Sequence, residues 1–149
     1  MNVESIPWDH PEASALREGQ RREIAVRYGT PDSEAGTPPS AADIAVFVVV
    51  RDEDGTAVGC GGLRDLGDGS GELKRMFVLP ERRGSGAAPA LLRDLEGRAR
   101  EFGWRRLLLE TGDRQPDAVR FYTREGYSPV PAFGSYADAP GCLCFGRDL

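Results

Sequence analysis

A glycine-rich turn flanked by arginines is the stretch of this sequence with the clearest chemistry. It reads Arg82-Arg83-Gly84-Ser85-Gly86 and follows an apolar, β-compatible run that ends at Leu79. Beyond it, leucines recur at helical spacing from Leu91 onward. A glycine turn that leads into a helix presents several backbone N–H groups in one direction, at the positive end of the helix dipole. With two arginines beside it, the turn predicts a site for a phosphate or a pyrophosphate.

Three kinds of phosphate-binding turn can be compared with this stretch. A P-loop ends in Gly-Lys-Ser/Thr, whereas this turn ends Gly86-Ala87-Ala88. A dinucleotide-binding turn carries a third glycine where this chain has Pro89, so an NAD-binding protein is a weaker alternative. The third pattern, Arg-x-x-Gly-x-Gly/Ala, is met by residues 83–88, behind the strand Leu-Lys-Arg-Met-Phe-Val and Pro80. That arrangement resembles the acetyl-CoA loop of the GNAT N-acetyltransferase superfamily. The alternative is that the stretch is only a surface turn between a strand and a helix and binds no ligand.

A second stretch, Gln115 to Tyr127, resembles the GNAT pattern Asn-x-x-Ala-x-x-Phe/Leu-Tyr-x-x-x-Gly-Phe/Tyr. Every specified position from Ala118 onward matches, but Gln115 stands where the family has asparagine. The longer amide can form similar hydrogen bonds with looser geometry. The two motifs, in the family's order, imply the GNAT acyltransferase fold. This is an α+β (α/β/α layered) fold with a central mixed, mostly antiparallel sheet flanked by helices, here expected to span residues 1–149 as one domain.

The resemblance implies transfer of an acetyl group from acetyl-CoA to a primary amine, by direct attack in a ternary complex. The cofactor site that it implies consists of Met76, Phe77, Val78, Arg83, Gly84, Ser85, Gly86, Ala87, Ala88 and Gln115. The backbone N–H of Val78 is the expected donor to the thioester oxygen, on which charge develops. Tyr122 stands at the family's general-acid position, and a phenol with a pKa of about 10 is a competent donor to a thiolate. The alternative role for Tyr122 is packing under the central helix, and one side chain can serve both roles.

The attacking amine must lose a proton, and the sequence leaves the identity of the base open. Glu72, at the start of the cofactor strand, and Glu110, at the end of the next strand, are candidate bases or amine anchors. Both could instead be solvated or salt-bridged, and a water relay without a side-chain base is an equal alternative. His10 is the only histidine, and its place near the N-terminus favours a capping or surface role.

The segment between the last two strands, Val130 to Asp138, is rich in aromatic residues, glycine and proline. On the fold that the resemblance implies, this segment lies beside the acceptor pocket. Phe133 and Tyr136 are therefore candidate substrate-binding residues, with ordinary loop packing as the alternative. We expect a small-molecule amine as the acceptor. A protein N-terminus or lysine is the second choice, and a non-catalytic acyl-CoA sensor is the alternative of another class.

Composition and charge limit the partners. The length of 149 residues indicates one domain, and the net charge of −5 argues against a general nucleic-acid surface. The three cysteines, Cys60, Cys142 and Cys144, predict neither a disulfide framework nor a metal site and fit a reducing compartment. The N-terminus lacks a signal-peptide pattern, and the longest apolar run is too short to span a membrane. We therefore expect a cytoplasmic protein that uses no metal, and a homodimer is compatible with the fold.

Hydrophobic periodicity and turn residues predict the element order β-α-β-β-β-α-β-α-β-β. Helices are expected over 11–28, 89–102 and 116–125, with Asp9 as the first N-cap and Pro89 as the first residue of the second helix. Leu16, Ile24 and Tyr28 fall roughly on one face of the first helix. Strands are expected over 2–7, 44–51, 56–64, 71–79, 104–110, 127–131 and 142–147. The glycines within 56–64 indicate a bulge or a close approach to the backbone of that strand.

Overall fold

The computed structural model describes residues 1–31 and 33–149. The strands are β1 (Asn2–Ser5), β2 (Ile44–Arg51), β3 (Ala57–Asp65), β4 (Ser70–Val78), β5 (Arg106–Gly112), β6 (Ser128–Pro129) and β7 (Cys142–Asp148). The helices are α1 (Pro11–Tyr28), α2 (Ala87–Glu101) and α3 (Pro116–Arg124), with single 3-10 turns at Pro80–Arg82 and Gly134–Tyr136. The predicted order of helices and strands is confirmed. Within the described residues, no helix is both long and apolar enough to cross a membrane.

The strands of the described chain form one mixed sheet in the order β1-β2-β3-β4-β5-β7-β6. Neighbouring strands are antiparallel, except for β4 and β5, which are parallel. The crossover between these two strands contains α2, as a parallel connection requires. The mostly antiparallel sheet flanked by helices confirms the predicted fold class.

A continuous apolar run is typical of a strand that is buried on both faces of its sheet, and Phe47, Val48, Val49 and Val50 of β2 are all buried. Alternate side chains point to opposite faces, so Val48 and Val50 join the core under α2, whereas Phe47 and Val49 join the core under α1. On its own inner face, α2 contributes four fully buried apolar side chains: Leu91, Leu92, Leu95 and Ala99. Burying each leucine stabilises the fold by roughly 1.5–3 kcal/mol relative to exposure.

β4 and β5 part soon after they begin. They are paired from Ser70 opposite Arg106 to Glu72 opposite Leu108 and not beyond. Each strand nevertheless continues, so the facing edges of the later residues are open between the two strands. Backbone N–H and C=O groups along such edges need other partners. This opening in the middle of the sheet is where a ligand can bind to the backbone.

A bulge in β4 shapes one edge of this opening. The register of β4 against β3 shifts between Cys60 and Gly62. Arg75 lies in the bulge with a φ of 58°, the only positive value for a non-glycine residue in the described chain. A Cβ on Gly61 would lie 2.6 Å from the Met76 sulfur, so the glycine admits the bulged strand. The glycines of this strand predicted a bulge or a close approach to its backbone. The structure confirms the prediction and contains both features.

Two helix starts differ from the prediction. The N-cap of α1 is His10 and not Asp9, since His10 Nδ1 accepts a hydrogen bond from the Glu12 N–H at 3.1 Å. α2 begins at Ala87, which makes Pro89 its third residue and not its first. A proline is tolerated there because N–H groups in the first helical turn have no intrahelical acceptor. The remaining boundaries differ from the predicted ones by at most about two residues, the usual uncertainty at element ends.

Candidate active site

A cleft of about 410 Å³ is lined by α1, the end of β4, the glycine-rich turn and α3. The predicted cofactor residues that line it are Met76, Phe77, Val78, Arg83, Gly84, Gly86, Ala88 and Gln115. Ser85 and Ala87 belong to the same turn, but neither is among the described lining residues. The Ser85 hydroxyl donates a hydrogen bond to the Arg82 carbonyl at 2.5 Å, and Ala87 is buried in the core. We call this cavity the cofactor cleft.

The turn at one end of the cofactor cleft keeps its backbone N–H groups free. Within the described chain, the N–H groups of residues 84–88 have no hydrogen-bond acceptor. Gly84 and Gly86 adopt φ values of 79° and 92°, and a Cβ on either residue would project into open space. The bare glycines therefore let a ligand approach the free N–H groups, at the positive end of the α2 dipole. This geometry suits an anionic group such as a pyrophosphate.

Two arginines of the cofactor cleft are held in place by neighbouring groups. Arg83 Nε donates to the Val78 carbonyl at 3.0 Å, and its Nη2 donates to Glu23 at 2.6 Å. Arg82 donates to Asp52 at 2.7 Å. Such contacts fix the orientation of each guanidinium before a ligand arrives. The ion pairs with Asp52 and Glu23 leave each guanidinium with further N–H donors for a ligand.

The backbone of Val78 faces the opening between the parted strands. The N–H of the next residue, Leu79, donates to the Val58 carbonyl of β3 at 2.9 Å. Because successive N–H groups along a strand alternate in direction, the Val78 N–H points away from β3. The Val78 carbonyl, on the same side, accepts its hydrogen bond from Arg83 and not from β3. This orientation is the one that the predicted donor to a thioester oxygen needs.

A second cavity, of about 420 Å³, lies along the same opening. It is lined by α1, the bulge of β4, the end of β5, the loop before α3 and the start of β7. Five described residues line both cavities: Gln20, Ile24, Met76, Gln115 and Tyr122. The two cavities therefore meet at the middle of the sheet. We call the second one the acceptor cavity.

Tyr122 lies at the junction of the two cavities. Its ring packs against Phe121 and Tyr127, with centroid separations of 5.1 and 5.8 Å, and only 8% of the residue is exposed. The hydrogen bonds between described residues do not include the Tyr122 hydroxyl, and burial raises the pKa of Tyr122 above its ordinary value. The phenol therefore stays protonated at neutral pH. The position suits both of the roles considered for it, packing and proton donation to a group at the junction.

Glu110 lines the acceptor cavity. Burial, together with the nearby carboxylates of Glu34 and Glu72, raises the pKa of Glu110 to about 7. The positive charge of Lys74 and a hydrogen bond from Cys142 act in the opposite direction and lower this pKa. A carboxyl group with this pKa exchanges its proton near neutral pH. Such tuning is typical of general acids and bases.

Glu72, the other candidate base, has a different environment. It is 2% exposed and is not among the described residues that line either cavity. Its carboxylate accepts a hydrogen bond from the Tyr136 hydroxyl at 2.6 Å and lies 3.6 Å from Lys74 Nζ and from Arg64. Both glutamates lie on the α1 face of the sheet, but Glu72 lies where β4 and β5 are still paired and Glu110 lies beyond their separation. The structure thus places only Glu110 within direct reach of an acceptor.

The two tail aromatics are also set back from the acceptor cavity, whose described lining residues include neither Phe133 nor Tyr136. Their rings pack edge to face with centroids 5.1 Å apart. The Tyr136 hydroxyl also accepts a hydrogen bond from Lys74 Nζ at 3.1 Å. Lys74 does line the cavity, so Tyr136 supports that wall through its hydrogen bond with Lys74.

The contribution of α1 to both cavities was not predicted from the sequence. Gln20, Ile24 and Tyr28, each four residues apart, share the face that lines the acceptor cavity. Gln20 Nε2 donates to the Met76 carbonyl at 2.9 Å and so supports the bulged strand. The helical spacing of this face was visible in the sequence, but nothing in the sequence distinguished a cavity wall from core packing. The charged lining residues Glu34, Lys74, Arg75, Asp113 and Arg114 were missed as well.

The chain resembles a known protein family and several curated proteins in sequence. A family model described as acetyltransferase (GNAT) family matches residues 12–127. The IAA acetyltransferase of Azospirillum brasilense is 42% identical over 104 residues, which are 69% of this chain and 67% of that protein. Seven further curated relatives are matched over 37–62% of their own lengths.

Solved structures share the fold over the full chain. A Klebsiella pneumoniae protein assigned to the acyl-CoA N-acyltransferases aligns with a TM-score of 0.83 and 30% identity, covering 99% of this chain and 97% of that one. The PaiA N-acetyltransferase of Thermoplasma acidophilum, solved in complex with coenzyme A, aligns with a TM-score of 0.71 and 17% identity over 100% of both chains. Since the family model covers well over half of the residues, this chain belongs to the acetyltransferase (GNAT) family.

Proposed function

We propose that this protein transfers an acetyl group from acetyl-CoA to the amine of a small molecule, by direct attack in a ternary complex. One observation carries the proposal: Tyr122 and Gln115 line both cavities, so a thioester in the cofactor cleft would meet an acceptor in the acceptor cavity. The family supports an acyl-CoA donor. A cavity of about 420 Å³ is in the size range of small-molecule sites. We treat residues 1–149 as one acetyltransferase domain.

The cofactor cleft has a group for each part of the donor. The free N–H groups of residues 84–88, with Arg82 and Arg83, would hold the pyrophosphate. The Met76–Val78 stretch of β4 would lie along the pantetheine arm, and the Met76 and Val78 carbonyls, which accept from Gln20 and Arg83, keep a second lone pair for its amides. Gln115, the N-cap of α3, lines both cavities, and its amide would bind the same arm. These contacts would bring the thioester to the junction of the two cavities.

The chemistry then requires two proton movements. The amine nitrogen attacks the thioester carbon, the Val78 N–H stabilises the charge that develops on the carbonyl oxygen, and the nitrogen loses a proton to the Glu110 carboxylate. The carbon–sulfur bond breaks, and the leaving thiolate takes a hydrogen bond and finally a proton at Tyr122. The products are the N-acetylated amine and CoA. The proton gained by Glu110 then replaces, through water, the proton lost by Tyr122, so the enzyme returns to its starting state.

A melting curve tests the choice of donor. Ligand at about 100 times its dissociation constant stabilises a protein by about 2.7 kcal/mol, which for this size raises the melting temperature by roughly 5–11 °C. We expect this rise with acetyl-CoA or CoA and no rise with NAD or ATP. A rise with NAD alone, or no rise with acetyl-CoA in a folded sample, would contradict the proposal.

A further inference from the structure

The acceptor cavity is lined by equal numbers of acidic and basic side chains. The acidic ones are Glu34, Glu110 and Asp113, and the basic ones are Lys74, Arg75 and Arg114. A cavity for a plain alkylamine needs carboxylates but no such set of cations. From this lining, and on the basis of the proposed function, we infer that the acceptor carries an anionic group as well as its amine, and that Arg114 binds the anionic group.

Three of these six side chains are joined by ion pairs, and Lys74 lies 3.6 Å from a further carboxylate, that of Glu72. Glu34 forms ion pairs with both Lys74 and Arg75, the latter at 2.7 Å. Lys74 is buried and also donates to Tyr136. These cations have their partners on the protein itself. Lys74 and Arg75 therefore form part of the cavity wall, and an anionic group of the acceptor would bind to another cation.

Arg114 has no acidic partner within the described part of the chain. Its guanidinium makes one long hydrogen bond, to the Arg27 carbonyl at 3.4 Å, and lies 5.7 Å from the centre of the Tyr28 ring. It is exposed and lines the acceptor cavity but not the cofactor cleft. The phosphates of the donor have Arg82 and Arg83 in that cleft, so the charge of Arg114 is available to the acceptor.

The backbone around Arg114 is held in a fixed position. Its N–H donates to the Tyr28 hydroxyl at 3.1 Å, which ties the loop to the end of α1. The tyrosine packs closely against Gly112, where a Cβ would lie 1.7 Å from the hydroxyl oxygen. Glycine at this position therefore permits the contact. An arginine on an anchored loop binds an anion at a lower entropic cost than one on a mobile loop.

The distance between the two binding groups suits a small molecule. Glu110 and Arg114 are four residues apart, so their Cα atoms lie within about 14 Å even for an extended chain. Both side chains line the same cavity, which shortens the gap that the ligand must bridge. An amine and an anionic group separated by a few carbon atoms fit this arrangement, with the amine at Glu110. A carboxylate and a phosphonate share the required chemistry.

Paired acceptors test the inference. We would measure acetylation of ethylamine, β-alanine and 2-aminoethylphosphonate by the wild type, by Arg114→Gln and by Arg114→Lys. A charged hydrogen bond stabilises a complex by about 1.5–3 kcal/mol, so Arg114→Gln should raise the KM for the two anionic amines about 10- to 100-fold with little change in kcat. The KM for ethylamine should stay unchanged, and Arg114→Lys should restore part of the affinity. Arg106→Gln, an exposed arginine at the other end of β5, is the charge-matched control and should have no effect.

The outcomes separate this inference from the proposed function. Acetylation of ethylamine as efficiently as of both anionic amines would overturn the anionic acceptor and leave the acetyltransferase proposal intact. A lower melting temperature of Arg114→Gln with unchanged KM values would mean that Arg114 only caps α1. If wild-type protein acetylated none of a broad panel of neutral and anionic amines, the proposed function would fail and this inference with it.

Discussion

Replacement of Tyr122 with phenylalanine is expected to lower kcat by about 10²- to 10³-fold with little change in the KM for acetyl-CoA. The substitution removes the only side-chain hydroxyl that lines both cavities within the described chain, and it keeps the ring contacts with Phe121 and Tyr127. Since the lost interaction forms with the leaving thiolate, the effect should fall on the chemical step. Steady-state kinetics with saturating acceptor measures it.

Tyr127→Phe is the matched control for this substitution. Its hydroxyl donates to the buried Glu96 at 2.8 Å and lies outside the cavities. The control should therefore lose stability, because a buried carboxylate loses a partner, and keep the kcat of the folded enzyme. A wild-type kcat in Tyr122→Phe would show that Tyr122 has only a packing role.

Removal of the Glu110 carboxylate is expected to have the second large effect. Since the pKa of Glu110 is raised to about 7 and the base form is the ionised one, kcat/KM of the wild type should fall as the pH drops through about 7. In Glu110→Gln, kcat/KM at pH 8 should be about 10²-fold lower, and the inflection near pH 7 should disappear. The inflection of the acceptor amine at higher pH should remain. A pH–rate profile of each protein measures both changes.

Glu72→Gln distinguishes the two candidate bases. Glu72 is enclosed by Tyr136, Lys74 and Arg64, so this variant should lose stability. It should keep the inflection, moved to a lower pH because one of the carboxylates that raise the pKa of Glu110 is lost. Loss of the inflection in Glu72→Gln, with its retention in Glu110→Gln, would reverse the assignment. Retention in both variants would indicate the water relay that the sequence left open.

The order of the helices and strands and the glycine-rich turn could be predicted from the sequence because both depend on local patterns. The glycine-rich turn and the start of α2 are contiguous in the chain, and the two-faced burial of β2 follows from one apolar run. The strand order and the parting of β4 from β5 are not local. They depend on the bulge at Arg75, on the glycines of β3 and on the short pairing with β5.

The acceptor cavity was less predictable for the same reason. Its walls come from α1, β4, β5 and the segment before β7, which meet only in the folded chain. Glu110 and Glu72 looked equivalent in sequence, and the position of strand separation makes them different. Arg114 was not singled out, because an exposed arginine in a loop has no signature until its neighbours and missing partners are known.

The most direct measurement of the central claim is product analysis by mass spectrometry. The protein would be incubated with acetyl-CoA, a panel of small primary amines and a lysine-containing peptide. We expect an N-acetylated small amine, an equal amount of free CoA, and a large loss of both in Tyr122→Phe. Acetylation of the peptide alone would contradict the small-molecule acceptor. Stabilisation by acetyl-CoA without acetylation of any amine would instead identify a non-catalytic acyl-CoA-binding protein.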